Sequence, residues 1–139
     1  MGRSIAKFAL ALGLATMLLA VFSYLRKRDC ERQSRSIEWR FEYDDRLRLR
    51  SVTTAPDVPT GAPNWEVVRL RLERHMREWS ELRARACMEN RAELEDCLDS
   101  QKASFSALVD AWISGDLSWA ENDLDELLPP VSDCIGPKD

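Results

Sequence analysis

An uncharged run at residues 8–25 constrains the fold of this chain more than any other feature of the sequence. A helix needs about 20 mostly apolar residues to cross a bilayer, and this run comes near that length. The basic triplet Arg26–Arg28 ends the run, and Tyr24 stands where an aromatic ring suits a membrane interface. The sequence therefore predicts a single N-terminal transmembrane anchor over residues 1–28.

A cleaved signal peptide is the alternative interpretation of the same run, because Arg3 and Lys7 precede it. Residues 21–23 read Val-Phe-Ser and offer a poor cleavage site, so we expect the helix to be retained. The positive-inside rule would keep the flank with the basic triplet in the cytoplasm. The four cysteines favour the opposite side, because disulfides form in oxidising compartments. We expect a single-pass membrane protein whose C-terminal domain is extracytoplasmic, in the periplasm or the intermembrane space.

The rest of the 139-residue chain has room for one domain. We divide it into a juxtamembrane segment with a proline-rich loop at 29–63 and a disulfide-stapled helical domain at 64–139. The formal charge of −4 argues against nucleic acid as a partner, since binding to phosphates needs a basic face.

The juxtamembrane segment carries the only strand pattern that we recognise. Apolar and charged residues alternate there, as in a half-buried strand, the apolar positions being Ile37, Trp39, Phe41 and Tyr43. Asp44-Asp45 as a turn and a returning strand after it predict a short β-hairpin within 36–52. A short helix over 44–51 is the alternative. Residues 55–63 contain three prolines and form a loop.

Two later segments have apolar residues at three- and four-residue steps, which is the spacing of one helix face. The first follows Asn64, a favoured N-cap, and its stripe contains Trp65, Val68, Leu72, Met76, Trp79, Leu82 and Ala86. The second starts near Ala92 and ends at Ser114-Gly115, with a stripe of Leu94, Leu98, Gln101, Phe105, Leu108 and Trp112. A short turn near Asn90 predicts that the two helices pack as an antiparallel hairpin.

A third, shorter helix is predicted from Trp119 to Leu128. Ser118 and Glu121 have the spacing of a capping box, and Pro129-Pro130 ends the helix. The predicted fold class is therefore mainly α: a transmembrane helix, then a helical hairpin closed by a third helix.

The four cysteines are Cys30, Cys87, Cys97 and Cys134. Helix lengths place Cys87 and Cys97 at one end of the hairpin and bring Cys134 back to that level. We prefer Cys97–Cys134 with Cys30–Cys87, and Cys87–Cys97 with Cys30–Cys134 is the main alternative. Zinc is disfavoured because the sequence has no CxxC pair and His75 faces the apolar stripe.

An ordered set of residues resembles one segment of bacterial, especially myxobacterial, serine/threonine protein kinases. That segment lies between the membrane helix and the tetratricopeptide repeats, and the matching residues are Trp79, 83–87, 97–99, 107–110, 128–131 and Cys134. Less specific matches are Trp39, Asp44-Asp45 and 60–63 before Trp65. The sequence contains neither the kinase domain nor the repeats, and its loop between Cys87 and Cys97 is shorter than usual. The resemblance implies a membrane-tethered extracytoplasmic sensing or docking element.

The nine residues between Cys87 and Cys97 also resemble the spacing in helical hairpins of mitochondrial intermembrane-space proteins. Those proteins use the spacing twice, whereas Cys30 and Cys134 do not repeat it. This resemblance implies an accessory subunit of a respiratory assembly.

No catalytic constellation is evident in the sequence. His75 is the only histidine, and the acidic residues at 93–96 and 116–126 lack EF-hand spacing. We therefore predict no catalytic residue, no cofactor, no metal and no small-molecule substrate. Trp112 and Trp119 flank a turn and form either a partner surface or part of the core.

These observations lead to one expected function and one alternative. We expect a non-catalytic interaction or sensing module that is tethered to the lipid bilayer and binds a protein partner. The alternative is a single-pass accessory subunit of a larger membrane complex, such as a respiratory assembly in the mitochondrial intermembrane space.

Overall fold

The computed structural model describes residues 2–40, 43–128 and 130–136, with side chains from residue 11 onward except at 39, 40 and 43. Within these ranges the chain is mainly helical and contains no strand. The α-helices are α1 (Gly2–Ser34), α2 (Tyr43–Thr53), α3 (Trp65–Met88), α4 (Ala92–Ile113), α5 (Ser118–Glu121) and α6 (Leu124–Leu127). Two 3₁₀ segments lie at Arg35–Arg40 and Val131–Ile135. We call residues 43–128 and 130–136 the helical domain.

Helix α3 begins and ends as the sequence predicts. The side chain of Asn64 accepts a hydrogen bond from the Val67 N–H at 3.1 Å. At the other end Asn90 has a positive φ of 56°, a conformation that asparagine tolerates better than most residues. The Arg91 N–H then donates to the Ala86 carbonyl at 2.9 Å and the Asn90 N–H to that of Cys87 at 3.3 Å. This is a Schellman motif, which satisfies carbonyls left open at the helix end.

Helix α4 ends with the same motif, and here a glycine supplies the positive φ. Gly115 has a φ of 103°, and the Asp116 N–H donates to the Ala111 carbonyl at 3.0 Å. The two motifs end the helices sharply, so that each connection is short. Helices α3 and α4 pack as the predicted antiparallel hairpin.

The core lies between α3 and α4 and is closed by the C-terminal segment. Three tryptophans, Trp79, Trp112 and Trp119, are fully buried in it. The Trp79 indole N–H donates to the Leu98 carbonyl at 2.6 Å, and the Lys102 ammonium lies 5.8 Å from its ring centre. The remaining core residues are Ile37, Leu49, Val68, Leu72, Met76, Leu82, Ala86, Leu94, Leu98, Phe105, Val109, Leu124, Leu128 and Val131.

The prediction of a β-hairpin within 36–52 is wrong. The structure has the 3₁₀ segment Arg35–Arg40 followed by α2, close to the helix over 44–51 that we considered as the alternative. Asp44 and Asp45 lie in the first turn of α2, where carboxylates interact favourably with the helix dipole. Ile37 and Leu49 reach the core from separate helical segments, whereas Leu47 is 44% exposed. Phe41, which supported the alternating pattern, lies outside the described residues.

The predicted third helix is two short helices instead of one. Asn122 is extended and separates α5 from α6, and the Asp123 side chain caps α6 by accepting from the Asp125 N–H. The predicted capping box is absent, since the Asp116 carboxylate accepts the Ser118 N–H at 2.9 Å. These short polar side chains compete for backbone groups and so favour caps over continued helix.

The prediction of a transmembrane anchor over residues 1–28 is wrong, and with it the single-pass membrane localisation. In the part of the chain that the structure describes, no helix is long and apolar enough to cross a membrane. Helix α1 continues past the basic triplet, and its buried Cys30 and Ser34 pack on the helical domain.

We expect Trp79→Ala to lower the free energy of unfolding by about 4 kcal/mol, because it removes one of the three fully buried indole rings and leaves a cavity. Leu70→Ala, at a 53% exposed position on the same helix, is the control and should change it by less than about 0.5 kcal/mol. Urea denaturation at constant m-value measures both. Equal losses would show that the core is not centred on Trp79.

Candidate interaction site

The four cysteines form two disulfides in the structure. Cys30 is bonded to Cys87 with a Cα–Cα distance of 5.6 Å, and Cys97 to Cys134 with 5.7 Å. These are the pairs that we placed first in the sequence analysis. The first bond joins α1 to the end of α3, and the second joins the start of α4 to the C-terminal segment. Both therefore staple the same end of the hairpin.

Arg26 makes a second connection between α1 and α3. Its guanidinium donates to the Cys87 carbonyl at 3.1 Å and to the side-chain oxygen of Asn90. These acceptors belong to the C-terminal end of α3, where the unsatisfied carbonyls carry partial negative charge. The first residue of the basic triplet thus caps a neighbouring helix.

Arg83 makes a third connection, at a position where α1, α3 and α4 meet. It is only 7% exposed and donates to the Glu95 carboxylate at 2.5 Å, the Asp99 carboxylate at 3.3 Å and the Gln33 amide oxygen at 3.1 Å. A buried guanidinium needs such partners, since an unpaired buried charge is costly. If Gln33 were replaced, α1 would lose its hydrogen bond to Arg83, whose charge the Glu95 and Asp99 carboxylates of α4 would still pair.

The residues of α1 before this junction whose side chains are described, 11–25, make no such contacts. Every residue from 11 to 25, which we call the apolar segment, is exposed. Nine large apolar side chains in it are each more than half exposed: Leu12, Leu14, Met17, Leu18, Leu19, Val21, Phe22, Tyr24 and Leu25. The helical domain also exposes large apolar side chains, but they are few and scattered over several elements.

A stripe of small residues runs along one side of the apolar segment. Gly13, Thr16, Ala20 and Ser23 follow one another at three- and four-residue steps. A Cβ atom placed on Gly13 would meet nothing within 4 Å. The helix backbone is therefore open to close approach along this side.

Trp112 and Trp119 do not form a surface. Both are fully buried, and the Trp112 indole N–H donates to the Ser118 hydroxyl at 3.2 Å. The pair packs inside the domain because α5 folds back over the end of α4. The sequence analysis left a partner surface and core packing open for this pair; the structure shows core packing, and the exposed apolar surface lies on α1.

His75 lies on the apolar face of α3, where the sequence places it. Its ring stacks on Phe105 with centroids 5.0 Å apart, and its Nε2 has no hydrogen-bond partner among the described residues. Burial lowers the pKa of His75 to about 4, so the ring is neutral at pH 7. It borders a surface hollow of about 250 Å³ together with Arg74, Glu78 and Asp125.

The described residues contain no group of three or more histidine, cysteine or acidic side chains able to hold a metal ion. The cavities are hollows on the surface. One of about 540 Å³ lies between the start of α4, the Cys97–Cys134 disulfide and Gly136. It brings no nucleophile and base together.

We expect removal of the first disulfide by Cys30→Ala with Cys87→Ala to lower the free energy of unfolding by about 4 kcal/mol, because it closes a loop of 57 residues. It should also release α1, so that the helix backbone around the exposed Arg32 unfolds locally and trypsin cleaves there, which mass spectrometry of the fragments detects.

Cys97→Ala with Cys134→Ala is the matched variant, since it opens a loop of 37 residues and leaves α1 attached. Its stability loss should be similar, without the new tryptic site. Alkylation of the unreduced wild-type chain should modify none of the four cysteines. The same tryptic pattern in both variants would contradict the role of Cys30–Cys87 as the attachment of α1.

We expect stability to fall by up to about 3 kcal/mol more in the wild type than in His75→Phe between pH 6.5 and 4. The unfolded state binds the proton over this window, whereas the folded state, with its lowered pKa, does not. Phenylalanine keeps the ring stack, and the nearby Glu78 and Asp125 are present in both proteins, so their effect cancels in the comparison. Urea midpoints at several pH values measure the difference, and parallel curves would contradict a buried neutral histidine.

Comparison with protein-family models, with curated proteins and with solved structures finds no match for this chain. The resemblances to the kinase segment and to the intermembrane-space hairpins therefore remain predictions from the sequence.

Proposed function

We propose that this chain is a non-catalytic interaction module of an oxidising compartment. In this proposal the disulfide-bonded helical domain presents the apolar segment of α1 to a protein partner. The exposed apolar surface of α1 is the observation that carries the proposal.

The size of that surface supports a binding role. At about 100 Å² for each half-exposed large side chain, the nine residues present roughly 900 Å² of apolar area. Soluble monomers rarely expose contiguous apolar patches above a few hundred Å². A specific protein interface buries about 800 Å² on each partner, so a partner that encloses most of this segment would bury the area that a stable complex needs.

The attachment of α1 supports the same role. The disulfide Cys30–Cys87, the Arg26 contacts and the Gln33–Arg83 contact fix the C-terminal half of α1 on the domain. A binding element that is already ordered loses less conformational entropy when its partner binds. The junction thus converts a helix into a preorganised binding element.

The disulfides support an oxidising compartment. All four cysteines are paired, and structural disulfides persist mainly outside the reducing cytosol.

A permanent subunit of a larger assembly is the second candidate, and the distribution of side chains around α1 favours it. Large apolar residues cover about two thirds of the helix circumference, and the small-residue stripe covers the rest. A helix that is apolar all round is normally enclosed by other elements. Co-purification of the native chain with a constant set of partners would favour this candidate over a transient module.

We expect the variant Leu14→Gln, Leu18→Gln, Val21→Gln to bind an apolar helix about 100-fold more weakly than the wild type, because three exposed anchors become polar. The probe is a labelled synthetic leucine–alanine helix, as long as the apolar segment, with asparagine at both ends. Fluorescence anisotropy measures its dissociation constant.

The control variant places glutamine at Leu47, Leu70 and Met88, which are exposed apolar residues of the helical domain. It should bind the probe within about twofold of the wild type. An equal loss in both variants, or none in either, would show that the apolar segment is not the binding surface.

A further inference from the structure

We propose that the partner contributes a helix whose apolar stretch runs into carboxylate side chains, and that these carboxylates meet three arginines on α1. The arginines are Arg28, Arg32 and Arg35, which we call the basic face. This inference rests on the proposed function, because it specifies the chemistry of the partner that the apolar segment would bind.

The basic face continues one stripe of the apolar segment. Leu14, Leu18, Val21 and Leu25 alternate four- and three-residue steps, and Arg28, Arg32 and Arg35 continue the same alternation. Such a seven-residue repeat places all these positions along one line of a helix that packs against another helix. Residue 35 belongs to the 3₁₀ segment that follows α1, so the line ends there.

Surface hollows connect the apolar residues of this repeat to its arginines. Arg28 and Arg32 border one hollow of about 240 Å³ with Leu25 and another of about 230 Å³ with Arg35. Leu25 is the last large residue of the apolar segment, so the apolar and basic surfaces are contiguous. A partner helix lying on the apolar line would therefore place its next turns over the guanidinium groups.

The line also faces away from the helical domain. Cys30 and Gln33 contact α3, and helical geometry puts Arg28 and Arg32 on the opposite side of α1. The Arg32 side chain is 82% exposed, in keeping with that placement. A second helix can thus pass along α1 without meeting the domain.

The charges on this surface are available to a partner. Without Arg26, which caps α3, the stretch 27–35 has four basic and two acidic side chains, a net charge of +2, whereas the whole chain has −4. Arg32 pairs with Asp29 at 3.2 Å, and Arg28 lies 6.0 Å from the Tyr24 ring centre. Both contacts are solvent-exposed and weak, so exchanging them for a partner's carboxylates costs little.

The same charges disfavour a parallel second copy of this chain as the occupant. Parallel pairing in register would oppose each arginine of the basic face with its own equivalent. Like charges at such flanking positions are destabilising and select a different partner. Charge complementarity points instead to a helix with glutamate or aspartate at this level.

The test measures binding of the full chain to three labelled synthetic helices with the same heptad of leucines. After the leucines they continue with glutamate, glutamine or lysine at the positions that face the arginines. We expect the glutamate helix to bind about tenfold more tightly than the glutamine helix, and the lysine helix most weakly. The preference should shrink in high salt, because the groups are exposed.

Reversing the charge of the basic face provides a second test of the same preference. Arg28→Glu with Arg32→Glu and Arg35→Glu should invert the order, so that the lysine helix binds most tightly. The control places glutamate at Arg77, Arg85 and Arg91, which are exposed arginines of the helical domain, and should leave the order unchanged. Circular dichroism confirms that each variant keeps its helices.

Four outcomes would overturn the inference. Equal binding of all three helices would exclude the basic face and leave the apolar docking of the proposed function intact, whereas binding of none would contradict both. Competition by phosphatidylserine vesicles, but not by phosphatidylcholine vesicles, without any preference among the helices would assign the arginines to a lipid surface. A wild-type dimer in sedimentation that the charge reversal weakens would assign them to a second copy.

Discussion

The attachment of α1 to the end of α3 is the constraint on which the rest of this structure depends. The Cys30–Cys87 disulfide, the helix-capping guanidinium of Arg26 and the buried charge of Arg83 act there together, and each stabilises the junction by a different physical mechanism. The disulfide acts mainly on the unfolded chain, the Arg26 contact on the partial charges of helix α3, and Arg83 through desolvated hydrogen bonds. Without this junction α1 would not be held in a fixed position on the helical hairpin.

Much of the helical domain could be predicted from the sequence, because its signals are local. The spacing of Val68, Leu72, Met76 and Trp79 determines which face of α3 is buried, and Asn64 and Gly115 mark helix ends by their own backbone preferences. Helix lengths placed Cys87, Cys97 and Cys134 at one level, since one rise per residue is enough to compare them, but two pairings stayed open and the structure has the preferred one.

The errors arose where local signals compete with tertiary contacts. Apolar and charged residues alternate around Ile37 as they do in a strand. The structure instead buries Ile37 from the 3₁₀ segment and Leu49 from α2, so the apolar residues reach the core without a strand. Asn122 and Asp123 break a helix that apolar spacing alone would continue. Arg83 was missed as a junction because its three partners lie on other helices. For α1, the number of apolar residues near its start predicted a transmembrane helix, but no described helix is long and apolar enough to cross a membrane.

The order in which the chain is made gives the first disulfide a further consequence. Cys30 and Cys87 are 57 residues apart, so α1 is synthesised long before its attachment point on α3 exists. During that interval the apolar segment has no folded domain beside it, although it is the part of the chain most prone to associate wrongly. The segment made early is thus fixed late, after α3 has formed and an oxidant has acted. In the cell, shielding by a chaperone would be needed most before that oxidation step.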